Sequence, residues 1–159
     1  MVAGSLRLTA HGKSVGKEQM DADREAWGIE NAVAALAAFP ALDQRMKVTV
    51  TAWQMRDVDG APAFNDHSDP AYDARVLADL AALHADAAAW LRPLAGGLPR
   101  LAAYLERLER AIAAARSGDH RYVASPRVDS YHSAWFELHE DLIQLAGRSR
   151  AEEVAAGRA

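Results

Sequence analysis

Asp66, His67, Asp69 and Asp73, with Asn65 and Ser68 among them, crowd the stretch FNDHSDPAYDARVL from Phe64 to Leu77. Carboxylates beside an imidazole can hold a divalent ion or pass a proton. The same residues also make a good helix start. Asp69 before Pro70 reads as a capping carboxylate followed by proline at the first helical position, and Asp73 in the first turn suits the helix dipole. Asn65, Asp66 and Ser68 are residue types that bond their own backbone in turns. Helix and turn formation therefore account for most of the cluster. His67 is left over, either as a solvated loop histidine or as a lid over a site.

The stronger constellation is VDSYHSAWFELHEDL, from Val128 to Leu142. His132 and His139 are seven residues apart and share a helix face with Trp135 and Leu142. About 10 Å of helix rise separates the two imidazoles, too far for joint ligation of one ion from an unbent helix. Asp129 and His132 have the spacing of three that sets ligands side by side. His84, on a helix expected to face this one, completes a candidate metal trio of Asp129, His132 and His84. A small-molecule pocket on the same face would take His84, Tyr131, His132, Trp135 and His139. The competing account makes these residues an amphipathic core, satisfied by carboxylates such as Asp79, Asp86 or Glu30. Glu137, Glu140 and Asp141 are expected on a solvated face.

Other catalytic signatures are missing. Phe136 stands three positions before His139, where di-iron bundles carry Glu. There is no nucleophile elbow, phosphate loop or His-Glu-x-x-His, and Gly96-Gly97 reads as a break rather than a phosphate cradle. Tryptophans and tyrosines beside alanine stripes leave room for a flat apolar ligand.

The scaffold that must carry these groups is helical. At 159 residues the chain has the size of one domain, half its residues are hydrophobic, and alanine, a strong helix former and weak strand former, dominates the apolar share. Apolar periodicity predicts helices over 18–39, ended by Pro40; over 41–56; over 70–91; over 98–116, closed by Ser117 and Gly118; and over 126–146, opened by Pro126. In the first of these, Ile29, Val33 and Leu36 make the stripe, and Gly28 is a mild weakness. His84 falls on the buried stripe of the third with Leu77, Leu80 and Leu91. Residues 57–69 read as a loop, 93–97 as a break and 151–159 as a frayed tail. The expected fold class is all-α: an antiparallel bundle of about five helices.

The opening differs, because Leu6 and Leu8 alternate with polar residues before His11 and Gly12, which predicts a short N-terminal strand and turn. Residues 1–16 are thus set apart from a helical domain over 17–159. A lone strand needs a partner, from a second copy or another chain.

Net charge is −4, and Lys and Arg are dispersed, which argues against nucleic-acid binding by this chain alone. Without cysteine there is no disulfide frame, thiolate zinc site or thiol nucleophile. No apolar run reaches membrane-spanning length and no signal sequence is evident, so a cytoplasmic protein without membrane contact is expected.

LRLTAHGK, from Leu6 to Lys13, resembles the last wing strand of winged-helix regulators of the MarR and PadR type, where such a stretch leads into a long helix. AWQMRDVDG, NDHSDPAYDARVLADLAALH and DSYHSAWFELHEDLI resemble an uncharacterised helical domain that follows a winged helix in actinobacterial proteins. Similar segments are attached to proteins related to pyruvate phosphate dikinase. The resemblance covers about three quarters of the chain and implies helices that form a homodimer and bind a small-molecule effector. The recognition helix is missing, so the resemblance implies a separate effector or dimerisation module, or a truncated regulator, that does not bind DNA by itself. The alternative is a small metal-dependent or acid/base enzyme with its site in the bundle interior.

Overall fold

The computed structural model describes residues 7–58 and 60–155. Thr9 sets the first helix. Its backbone is extended (φ −66°, ψ 166°) and its hydroxyl accepts the Gly12 N–H at 3.0 Å, so α1 runs Ala10–Trp27. The strand and turn expected at the start are not found among the described residues. Leu6 lies outside the described residues, Arg7 to Thr9 carry no strand, and His11 and Gly12 form the first turn of α1. A capping hydroxyl outweighs a two-leucine alternation that no neighbouring strand supports. The expected division between 16 and 17 falls inside this unbroken helix.

The first break comes at Gly28, not Pro40. Gly28 takes φ 86°, a conformation that side chains disfavour, and its N–H closes α1 on the Arg24 carbonyl at 2.9 Å. Helix α2 then spans Ile29–Gln54 straight through Pro40. Proline there removes the hydrogen bond to the Leu36 carbonyl, a cost of about 3 kcal/mol in an isolated helix. Buried Leu36 and Phe39 on one side and Asp43 and Met46 on the other hold the helix together across the gap. Ile29 and Val33 are 48% and 36% exposed, so the buried stripe is Ala32, Ala35, Leu36 and Phe39 instead.

The segment expected to be a loop contains a hairpin. Strands β1 (Met55–Val58) and β2 (Ala61–Phe64) pair antiparallel, with Met55 opposite Phe64 and Val58 opposite Ala61. Asp57 Oδ1 accepts the Gly60 N–H at 2.8 Å, and Gly60 has φ 83°. Helix α3 (Pro70–Gly97) starts as the sequence predicts, Asp69 Oδ1 accepting the N–H groups of Ala71 and Tyr72 at 3.0 Å each. It continues through Pro93 to Gly97, past the expected break.

Helix α4 (Pro99–Arg116) ends at Ser117 and Gly118 (φ 103°) as expected. A single turn, α5 (Arg121–Ala124), and a turn region over 126–129 precede α6 (Tyr131–Leu145). Ser130, not Pro126, opens α6, its hydroxyl accepting the Ser133 N–H at 3.3 Å. The short α7 (Arg150–Ala155) follows.

The bundle read from the sequence is the architecture found. Helices α2, α3, α4 and α6 share one core in which Phe39, Leu80, Leu83, Leu91, Leu101, Leu138, Leu142 and Ile143 are 0% exposed. Helix α1 is tied to α6 by Arg24, which donates to the carbonyls of Gln144 (2.6 Å) and Leu145 (3.2 Å) at the end of α6, where cations complement the helix dipole. None of the described helices is long and apolar enough to cross a membrane.

Candidate functional site

The hairpin returns the chain to the end of α2 and delivers Asn65 into the interior, 8% exposed. Its backbone N–H bonds the Gln54 carbonyl at 2.9 Å. Its amide nitrogen donates twice, to the Trp53 carbonyl at 3.1 Å and to Asp73 Oδ1 at 2.9 Å. Its amide oxygen accepts the His67 N–H at 3.1 Å, a turn that holds His67 at φ 58°. Among the described residues His67 is the one non-glycine at positive φ. Such backbone costs of order 1 kcal/mol and persists where its surroundings over-determine it.

The bonding fixes the His67 ring. Nδ1 lies 2.9 Å from Asp73 Oδ2 and 3.3 Å from the Asn65 amide nitrogen. Both Asn65 amide hydrogens are already committed, to Trp53 and to Asp73, so Asn65 has none left for the ring. A carboxylate can only accept. Nδ1 therefore carries the proton and donates to Asp73, and in the neutral ring Nε2 is left with a bare lone pair. Asp73 is 5% exposed, while the His67 side chain is 40% exposed. A buried carboxylate thus orients a histidine that reaches solvent.

Two imidazoles stand on Trp53. His67 lies over it at 4.5 Å between ring centroids, tilted by 39°, and His120 meets it edge-on at 5.4 Å and 85°. Around them opens a cleft of about 690 Å³ between the hairpin and α5, with Met55 and Phe64 on one wall and Arg121 and Ser125 on the other. Phe64 is 83% exposed, an uncommon fate for a phenylalanine beside a concave surface. The loop is pinned from outside by Arg56, which reaches Asp66 at 3.1 Å and the Ser68 hydroxyl at 3.4 Å. Bonds from the Ser68 hydroxyl and N–H, with Arg56 nearby, hold the Asp66 carboxyl below its ordinary range. Asp66, Ser68 and Asp69 thus do the structural work the sequence suggests. Asn65, His67 and Asp73 instead form a polar unit facing the cleft.

The residues singled out on α6 divide into two groups. His132, Trp135 and His139 line one small cavity of about 150 Å³ with Asp43, Lys47 and Arg150. Asp43 accepts from Trp135 Nε1 at 3.0 Å, pairs with Lys47 at 3.0 Å and lies 3.9 Å from His139 Nδ1. It replaces Asp79, Asp86 and Glu30 as the carboxylate that serves this face; Asp86 pairs with Arg45 at 2.6 Å. Burial holds both imidazoles below their ordinary value, and the charge of Asp43 opposes it. His139 also packs on Phe39 at 4.7 Å between rings.

Tyr131 and His84 form a separate pair. The Tyr131 hydroxyl lies 3.3 Å from His84 Nδ1, with the rings edge-on at 5.8 Å. Burial pushes the tyrosine well above its ordinary value, so its hydroxyl stays protonated and gives or takes the bond with His84 according to the tautomer of that ring. His84 is only half-buried.

Asp129 belongs to neither group. Arg107 grips it from Nε and Nη2, at 3.1 and 2.7 Å, and Arg110 approaches to 3.8 Å. The Arg107 bonds are the main cause holding its carboxyl below the ordinary range. Asp129, His132 and His84 therefore do not converge, and among the described residues no group of three His, Cys, Asp or Glu is placed to hold a metal ion.

No spacing in the sequence marks Asn65, Asp73, His120 and Trp53 as a unit. A usable signal was the Asp-Gly dipeptide at 59–60, which as sequence marks a two-residue hairpin connection; the pairing of β1 with β2 brings Asn65 back onto the end of α2. Nothing local could have brought His120 there. Comparison of the chain with protein-family models, with curated proteins and with solved structures finds no match.

Proposed function

We propose that the chain is a ligand-binding module of a regulatory protein, and that its ligand enters the cleft at His67 rather than the bundle interior. The observation that carries this reading is the His67 ring, held by Asp73 so that a bare Nε2 lone pair is offered beside exposed Phe64. The cleft, at about 690 Å³, falls in the size range of small-molecule sites, whereas the cavity at His132 and His139 holds about 150 Å³. A fitting ligand has an apolar body for Phe64 and Met55 and an N–H or O–H for Nε2. The regulatory role rests on the resemblance to helical domains that follow a winged helix, which also suggests a homodimer, to be tested by sedimentation equilibrium.

Nucleic acid is not the expected partner. The net charge is −4, and Arg45, Arg56, Arg100, Arg107 and Arg121 are each paired with a carboxylate. Benzamide, with a phenyl ring and a neutral N–H donor, is a suitable first probe. Calorimetric titration should show saturable binding that His67→Ala and Phe64→Ser both weaken, while Asp129→Ala leaves it unchanged. Binding unaffected by either cleft variant would refute the assignment.

A second reading has its own support. The 2.9 Å contact between a buried carboxylate and a histidine Nδ1 is the arrangement that prepares an imidazole as a general base, Asp73 stabilising the ring when Nε2 takes a proton. Hydrolysis of 4-nitrophenyl acetate faster than by equimolar imidazole, lost in His67→Ala, would favour this enzyme over the binding module.

A further inference from the structure

A second cleft, remote from His67 in the sequence, lies at the corner where α1 turns into α2 against the end of α3. It has a volume of about 570 Å³ and is lined by Trp27, Asn31, Ala34, Trp90, Pro93 and Gly97, together with three further apolar residues. None of its lining residues is charged. Small residues make the room. A methyl group added at Gly97 would sit 3.1 Å from Trp27 Nε1, so the α3 backbone approaches this indole as closely as glycine permits.

The indole itself is the second observation. Trp27 is only 8% exposed, yet its N–H has no acceptor among the described residues, and it is not sealed from the cleft. The polar edge of this indole is therefore open to a partner from solution, whereas that of Trp135 is spent on Asp43 at 3.0 Å. Asn31 spends its amide nitrogen on the Trp27 carbonyl at 2.6 Å, which fixes the side chain beside the cleft with its amide oxygen uncommitted. Trp90, half-buried and packed on Phe39 at 5.7 Å between rings, supplies an aromatic wall.

We propose that this corner is a binding site for a neutral, planar heteroaromatic molecule that offers a ring nitrogen or carbonyl to Trp27 Nε1. The absence of charge around the cleft selects a neutral ligand. The two indoles select a flat one, and the unpaired N–H selects one with an acceptor. The proposal does not depend on what the His67 cleft binds.

Quinoline and naphthalene separate shape from hydrogen bonding, since they differ by one ring nitrogen. The four indole N–H groups of the protein can be followed individually by proton–nitrogen NMR. Quinoline should move the Trp27 and Trp90 signals saturably and leave Trp135 in place. It should bind ~5-fold tighter than naphthalene, the worth of one net hydrogen bond. Ala34→Leu, at an exposed helix position, should fill the cleft and abolish the shifts while melting temperature and circular dichroism stay unchanged. The proposal is overturned if the Trp27 signal does not move at millimolar quinoline, if Ala34→Leu responds like the wild type, or if naphthalene binds equally well. Movement of the same signals on dilution without any probe would also overturn it, by showing a second copy of the chain in the cleft.

Discussion

Asp73→Asn keeps the shape of a side chain that is 5% exposed and removes its charge. In the native site the carboxylate accepts from Asn65 at 2.9 Å and from His67 at 2.9 Å. An asparagine oxygen can still accept from Asn65, but the other terminus becomes an amide that can only donate. Facing it, His67 must accept on Nδ1 and carry its proton on Nε2. The perturbation therefore reverses what the ring presents to the cleft, from a lone pair to a donor.

Two charge-assisted bonds become neutral ones. Each loses about 0.5–1 kcal/mol once the half exposure of His67 is allowed for, a total of about 1–2 kcal/mol. At this chain length that lowers the melting temperature by about 2–8 °C. Asp73→Ala additionally strands a buried Asn65 donor and should cost about 2–4 kcal/mol. Urea denaturation gives the energies, and histidine nitrogen NMR gives the tautomer. An Asp73→Asn protein as stable as the wild type, with Nδ1 still protonated, would refute the reasoning.

Further outcomes follow from the core and the buried histidines. Phe39→Ala removes a ring that is 0% exposed and in contact with Trp90, Trp135 and His139, and should cost about 3–5 kcal/mol by urea denaturation. Pro40→Ala restores the hydrogen bond to Leu36 within α2 and should stabilise by about 1–3 kcal/mol; a destabilised variant would mean that α2 depends on the shape proline imposes. His84, His132 and His139 are held below the ordinary imidazole value of 6.5, chiefly by burial. Glu109 opposes this at His84, and Asp43 opposes it at the other two. The unfolded chain therefore binds more protons than the native one, so stability present above pH 6.5 is lost as pH falls through that value and towards the lower native ones. Calorimetric melting temperature should decline between pH 7 and about 5, before carboxylates titrate, and rising stability on acidification would contradict the burial. Asp129→Ala should leave affinity for zinc unchanged in a calorimetric titration, because Arg107 rather than an ion occupies that carboxylate.

Much of the scaffold was legible because it depends on local chemistry. The Asp69-Pro70 start and the Ser117-Gly118 stop each sit where a cap alone decides the outcome. Pro40 and Pro93 misled because tertiary packing on both sides of a proline can hold a helix that the isolated segment would break. The opening misled because two leucines in alternation weigh less than the Thr9 cap that follows.

The site divides the same way. That His132, Trp135 and His139 share a cavity follows from their spacing on one helix, and their carboxylate, Asp43, comes from α2, 92 residues before Trp135, where no pattern marks it. Asp73 looked sufficiently explained by the helix dipole. Only the three-dimensional return of the hairpin brings Asn65 and His67 onto it, and His120 arrives from the far side of α4. Residues with one adequate local role conceal a second, non-local one.

The presentation of the His67 Nε2 lone pair is best tested by histidine-selective nitrogen NMR of the wild-type protein, free and with benzamide. The free His67 should be protonated on Nδ1, with an Nε2 resonance that shifts as benzamide saturates. A ring protonated on Nε2 in the free protein, or an Nε2 resonance indifferent to a bound benzamide, would contradict this.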